Sequence, residues 1–173
     1  MNQRPLKRNY GRIERERRFL LARLPSAVDP AAYVRLVDRF VDGCFLRLRR
    51  LERPDGSEIL TKLGQKTRDE DAPDDPRRRR MTTIYLEPGE AQALSALPGT
   101  EAVKRRYTLD EQGLTFAIDV WEAPRGAAGV VLAEVECATD EELDLVRVPA
   151  WAMREVTDDP SFSAFELARR GAP

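Results

Sequence analysis

Glutamates recur two residues apart on short segments of this chain: Glu14-Arg15-Glu16-Arg17-Arg18 near its start and Ala133-Glu134-Val135-Glu136 far downstream. In an extended backbone, successive side chains point to opposite faces. Glu14, Glu16 and Arg18 therefore share one face, and Glu134 and Glu136 share one face of their own segment. The stretch from Gly129 to Cys137 is short, β-branched and opened by a glycine, with Val131, Ala133, Val135 and Cys137 opposite the carboxylates. That alternation specifies a strand with its acidic residues on the polar side. The device recurs with the opposite sign. Arg47 and Arg49 alternate with Leu46 and Leu48, Lys104 and Arg106 lie two apart before Tyr107, and Asp119 lies opposite Phe116, Ile118 and Val120. An ordinary wet sheet face mixes signs with neutral polar residues. Like charges side by side on one strand repel, so their segregation onto separate strands points to something bound between them.

The chain has 173 residues, 42% hydrophobic and 34% charged, enough for one core of ordinary size. Lys plus Arg number 29 against 30 Asp plus Glu, so no whole-molecule basic field argues for nucleic acid, and any anion site has to be local. Histidine is absent, which removes a Ser-His-Asp triad, a His-ligated zinc site and an imidazole base. The basic first dozen residues contain no apolar run, so neither a signal peptide nor a membrane span is expected, and the expected location is cytoplasmic. Cys44 and Cys137 lack metal-ligand spacing and read as buried strand thiols. Trp121 and Trp151 read as core or barrel-end packing.

Residues 1–12 read as a loose arm, 13–168 as one domain and 169–173 as a tail. The first strand runs from Ile13 to Leu21. Asp29-Pro30 predicts a helix start. Leu36–Val41 and Cys44–Glu52 flank Asp42-Gly43 as a hairpin, and Pro54-Asp55-Gly56 turns the chain into Glu58–Gln65. Arg68–Arg80, with an acidic run, two prolines and four consecutive arginines, reads as an exposed loop. Short helices are expected over Pro88–Leu97 and Ser161–Arg169, and a second hairpin over Lys104–Asp110 and Leu114–Glu122. Seven or eight strands with few helices favour an antiparallel sheet, curled or closed to remove its edges.

If the charged faces of such a barrel point inward, its lumen receives Glu14, Glu16, Asp119, Glu134 and Glu136 together with Arg18, Arg47, Arg49, Lys62, Lys104 and Arg106. Carboxylates gathered in this way repel unless a divalent metal is held by their oxygens, and the basic strands would then face an anion across the cavity. That balance suits a polyphosphate.

The ordered motifs resemble the CYTH or triphosphate tunnel metalloenzyme family. Its E-x-E-x-K signature appears as Glu14 to Arg18, with arginine for the usual lysine. Its R-x-R strand matches Arg47-Leu48-Arg49, and its following lysine matches Lys62 or Lys66. Its K-x-R-Y strand matches Lys104 to Tyr107, its V-D strand Asp119-Val120, its A-E-x-E strand Ala133 to Glu136, and its E-V-T-x-D segment Glu155 to Asp159. Two departures stand out. Arg18 places a planar guanidinium where a compact ammonium is usual. Thr82 and Thr83 lie on a strand that is acidic in many relatives, which leaves one acidic contribution to the lumen missing.

The resemblance implies an α+β, mainly β fold: an eight-stranded antiparallel β-barrel, or tunnel, with a charged lumen and a few peripheral helices. It implies hydrolysis of short-chain triphosphates (inorganic tripolyphosphate, or a nucleoside or thiamine triphosphate) with Mg2+ or Mn2+. Glu14, Glu16, Glu134 and Glu136 would hold the metal. Arg18, Arg47, Arg49, Lys62, Lys104 and Arg106 would grip the phosphates. Asp119 would either help hold a metal or restrain a basic neighbour. Glu14, Glu16, Arg18, Lys104, Asp119, Glu134 and Glu136 are thus the expected catalytic set. The alternatives are an adenylate cyclase making cyclic AMP, or a polyphosphate or nucleotide binder without turnover. The expected partner is a small-molecule triphosphate, with no nucleic acid or membrane, and the protein is expected to be a monomer or a homodimer.

Overall fold

Each alternating segment forms a strand in the computed structural model, which describes residues 11–173. The strands are β1 (Arg12–Leu21), β2 (Val34–Val41), β3 (Leu46–Glu52), β4 (Glu58–Arg68), β5 (Arg78–Leu86), β6 (Gly99–Glu111), β7 (Leu114–Ala123), β8 (Val131–Cys137) and the two-residue β9 (Arg154–Glu155). Three short helices, α1 (Pro88–Ser95), α2 (Asp140–Leu145) and α3 (Ala164–Arg170), and a 3-10 turn at Pro160–Phe162 complete the chain. Neighbours run β5-β4-β3-β2-β6-β7-β8-β1, and β1 pairs back onto β5, closing an eight-stranded barrel. Every pairing is antiparallel. Closure leaves no long edge, and eight strands enclose a space that side chains or one small ligand can fill.

Register carries the charged faces inward as one continuous surface. Arg18 lies opposite Glu134 and Glu16 opposite Glu136. Around the barrel, Arg106 faces Asp119, Leu36 faces Lys104, Asp38 faces Arg49, Arg49 faces Lys62, and Glu14 faces Arg79. The other face of β1, β6, β7 and β8 carries the main apolar core. Phe19, Tyr107, Phe116, Ile118, Ala133 and Val135 pack there, outside the barrel, with Val28 and Val146 over them. A second core forms where lumen-facing Phe40, Ala102, Trp121 and Leu132 meet Val156, Phe162, Leu167 and Ala168, so the C-terminal segment packs against one end of the lumen. No helix among the described residues is long and apolar enough to cross a membrane.

Several sequence expectations are corrected. Asp29-Pro30 starts no helix: the Asp29 carboxylate accepts from Ala31 N–H at 2.9 Å and caps a tight turn. Arg78, Arg79 and Arg80 are half-buried residues of β5, and only residues 69–77 connect it to β4. Asp69, fully buried, accounts for this, because it takes Arg78 at 2.8 Å and Arg80 at 3.6 Å. Cys44 lies in a turn rather than a strand, and both cysteines are free thiols of intermediate exposure rather than buried ones. Helix α2 is not among the expected elements, although Thr139 and Glu142 form a reciprocal capping box at its start. Most of the expected arm, residues 1–10, lies outside the described residues. The expected tail begins inside α3, and Gly171 (φ +82°) then lies so close to Gly126 that a Cβ there would come within 2.8 Å of the Gly126 carbonyl oxygen.

Candidate functional site in the barrel lumen

The lumen has an acidic region and a basic one. One carboxylate oxygen each from Glu14, Glu16 and Glu136 converge within 4.8 Å of one another. The three share the group because β1 sets Glu14 and Glu16 two residues apart and β8 sets Glu136 across from Glu16. The Lys66 ammonium lies among them, 2.5 Å from Glu14 Oε2 and 2.9 Å from both oxygens of Glu16. Burial opposes ionisation of Glu14 and Glu16, but Lys66 outweighs it at both, with Arg18 adding to it at Glu16, so both stay below the ordinary glutamate range. Glu136 differs: burial and the neighbouring Glu14 charge push it up to about 7.

Glu134 stands outside this group. It accepts from Arg106 at 3.1 Å and lies 3.9 Å from Arg18 Nε. Asp119, 2% exposed, also turns to the basic side, taking Arg106 at 2.6 and 2.7 Å and the Lys104 ammonium. Burial works against its charge, yet Arg106 and Lys104 hold it well below the ordinary carboxylate range. Asp38 does for β3 what Asp119 does for β6. It is fully buried, accepts a two-pronged bond from Arg49 at 2.6 and 2.7 Å, and lies 3.8 Å from Arg47. Lys62 is half-buried, and burial followed by Arg49, Arg47 and Arg106 depresses its pKa, the signature of cations crowded together. Every basic residue expected from sequence therefore faces the lumen. Lys66 does too, since residues four apart on a strand share a face, so Lys62 and Lys66 are not alternatives.

Two buried guanidinium nitrogens in this region, Arg18 Nε and Arg47 Nε, have no hydrogen-bond partner. Burial and the adjacent Arg49 charge lower the pKa of Arg47. Buried donors without a hydrogen bond are costly, by about 1–3 kcal/mol each and more for charged groups; here Glu134 and Asp38 offset the charge only at 3.9 and 3.8 Å. Sequence reasoning missed three lumen residues. Asp38 is the lone acidic residue of an otherwise apolar and basic strand, in register with Arg49. Arg79 lies beside Glu16 and Arg18 and donates to the Asp75 carbonyl at 3.0 Å. Lys66 was seen only as a substitute for Lys62. The Glu155 to Asp159 segment braces the site from outside. Glu155 pairs with Arg17 at 2.5 and 2.8 Å, Thr157 Oγ accepts from the Arg18 backbone N–H at 2.9 Å, and Val156 N–H donates to the Arg18 carbonyl at 2.8 Å.

An antiparallel barrel of eight strands, with converging carboxylates and excess basic groups inside, has the fold of the CYTH or triphosphate tunnel family. Two crystal structures of the protein NE1496, one of them described as an inorganic triphosphatase, superpose with TM-scores of 0.59 and 0.55 at 23% identity. They match 92% and 90% of this chain and 97% of theirs. A candidate adenylate cyclase from Bacillus halodurans superposes with a TM-score of 0.54 at 13% identity, over 89% of this chain and all of its own. No protein-family model matches the sequence, and no curated protein does.

Proposed function

We propose that this protein is a metal-dependent triphosphatase that hydrolyses a short-chain triphosphate inside its barrel. The observation that carries the reading is the lumen itself: buried guanidinium groups at Arg18 and Arg47, each with an Nε that makes no hydrogen bond, and three carboxylates whose oxygens converge within 4.8 Å. Hard oxygen donors at that spacing suit Mg2+ or Mn2+. Glu14 Oε2 is buried and already draws a cation, the Lys66 ammonium at 2.5 Å. Glu14, Glu16 and Glu136 would hold the ion, with Glu134 within reach of the basic side. A bound divalent ion would offset the charge of the phosphate oxygens and orient a water toward the terminal phosphorus.

The chain's own residues supply the rest. Arg18, Arg47, Arg49, Lys62, Lys104 and Arg106 grip the non-bridging oxygens and stabilise charge on the departing diphosphate. Asp38 and Asp119 stay ionised and fix Arg49, Arg106 and Lys104 in place, so little reorganisation is needed as charge shifts. Water adds to the terminal phosphorus, the bridging P–O bond breaks, and orthophosphate leaves with the shortened phosphate chain. The basic groups contact phosphate rather than any organic group, so tripolyphosphate, nucleoside triphosphates and thiamine triphosphate are all in the substrate class. The partner is this small molecule, with no role for nucleic acid or a membrane, and the setting is the cytoplasm.

The decisive experiment is phosphate release from tripolyphosphate, ATP and thiamine triphosphate with Mg2+, Mn2+ or EDTA, for the wild type and Glu136→Gln. Metal-dependent release that falls at least about 100-fold in the variant is expected, since one charged ligand is lost with its shape kept. Cyclic AMP from ATP in place of phosphate would make the protein a cyclase. Tight triphosphate binding without any product would make it a binder.

A further inference from the structure

The chain holds four lysines against 25 arginines. Three of the four, Lys62, Lys66 and Lys104, lie on lumen positions of β4 and β6, and Lys7 lies outside the described residues. Lys62 and Lys104 belong to the basic region. Lys66 does not: its ammonium sits against Glu14 at 2.5 Å and against both oxygens of Glu16 at 2.9 Å, within the same carboxylate group that Glu136 completes. Glu14 Oε2 is buried and has the Lys66 ammonium as its ion-pair partner. Glu14 itself is 6% exposed. The cation now held among these carboxylates is thus a side chain of the protein itself.

A lysine ammonium is a compact point charge on a flexible four-carbon stem, unlike the planar guanidinium used nearly everywhere else in this chain. The Lys66 side chain keeps 35% of its surface exposed.

Given the metal-site reading above, on which this inference rests, we propose that Lys66 is a tethered cation occupying the divalent metal's place among Glu14, Glu16 and Glu136, and that metal enters by expelling it toward the bound phosphates. A divalent ion and the Lys66 ammonium cannot occupy the same space among the three carboxylates, so the metal-competent state is the fraction in which Lys66 has left, and the apparent metal affinity is reduced by that fraction. A triphosphate that attracts the freed ammonium raises that fraction. Metal and substrate therefore bind with positive coupling, which is reciprocal.

The test is Mn2+ binding to the full-length protein by titration calorimetry, without substrate, for the wild type and Lys66→Met. At least a tenfold tighter Mn2+ site in Lys66→Met is expected, together with a smaller gain in Mn2+ affinity on adding tripolyphosphate. Equal or weaker binding by the variant, in a wild type that binds Mn2+, overturns the proposal and leaves the metal site standing. If neither protein binds Mn2+, the metal-site reading falls and the proposal with it. A second measurement does not depend on how the variant folds. With only four lysines, 15N-lysine labelling of the wild type yields few side-chain signals, assigned by single substitutions. Saturating Mg2+ is expected to move the Lys66 signal. A Lys66 signal unmoved at Mg2+ saturation would show that the ammonium stays where it is and overturn the displacement.

Discussion

Asp119 and Asp38 show how single acidic residues make a basic lumen tolerable. Each is buried and each holds two neighbouring cations, so removing either carboxylate strands charge rather than merely losing a contact. Asp119→Asn leaves Lys104 and Arg106 without their main counter-charge. It is expected to lower stability by about 3–5 kcal/mol, the range for breaking one side of a buried ion pair, as measured by urea unfolding. A loss below about 1 kcal/mol would mean that water reaches this pair freely. Arg47 and Arg49 are predicted to part in the opposite way. Arg49 is locked to Asp38 by two bonds, whereas Arg47 leaves its Nε unpaired. Arg47→Ala should therefore weaken triphosphate binding with little change in unfolding midpoint, and Arg49→Ala should lower both. Isothermal titration with tripolyphosphate beside a denaturant melt separates them, and equal destabilisation by the two variants would contradict the assignment. Both arginines were legible in the sequence as one motif. Their different duties were not, because Asp38 comes from another strand.

Among elements, β1 carries the most. One of its edges pairs with β8 along Arg15–Leu21, while the other is divided between β5 at Arg12–Arg15 and β9 at Phe19–Leu20. The backbone between those two partners is satisfied by Thr157 Oγ at Arg18 and by the Arg77 carbonyl at Glu16 N–H. Thr157→Val keeps the shape and removes the acceptor, leaving a buried N–H at the residue whose side chain faces the lumen. We expect a stability loss of about 1–3 kcal/mol and a raised KM for triphosphate, read from urea melts and steady-state assays. An unchanged melt would mean that another acceptor reaches the Arg18 N–H. The alternation of β1, β6, β7 and β8 was readable from spacing alone. The inclusion of Arg78 to Arg80 in β5 was not, because a run of arginines reads as solvated until Asp69 and Asp140 are brought against it from distant parts of the chain.

At the scale of the whole molecule, the lumen couples folding to protons and to metal. Glu136 sits at about 7, above its ordinary value, so the folded metal-free protein holds that proton more tightly than the unfolded chain does. The stability gained from this group is fully present below the unfolded value and is lost as pH rises through about 7. Glu14 and Glu16 behave oppositely: their stabilising charge is present above the ordinary glutamate range and is lost only in more acid solution. In EDTA, the wild type should therefore lose melting temperature relative to Glu136→Gln between about pH 5 and about pH 8. Mg2+ should reverse the loss, adding about 2.7 kcal/mol at a hundredfold excess over its Kd. Thermal melts across that window check both, and parallel curves for the two proteins in EDTA would show that Glu136 titrates like an exposed glutamate.

Local alternation by itself determined which residues share a face, because the period of a strand is a property of the backbone and needs no partner. From it follow the strands, the pairing of like charges, and the lumen membership of Glu14, Glu16, Arg18, Arg47, Arg49, Lys104, Arg106, Asp119, Glu134 and Glu136. Only the tertiary structure decided which of these meet. Register across β8 and β1 joins Glu136, not Glu134, to Glu14 and Glu16, and closure of the barrel carries Lys66 into that group. Those choices depend on distances between strands far apart in sequence, which are set by how the sheet closes and not by any one segment.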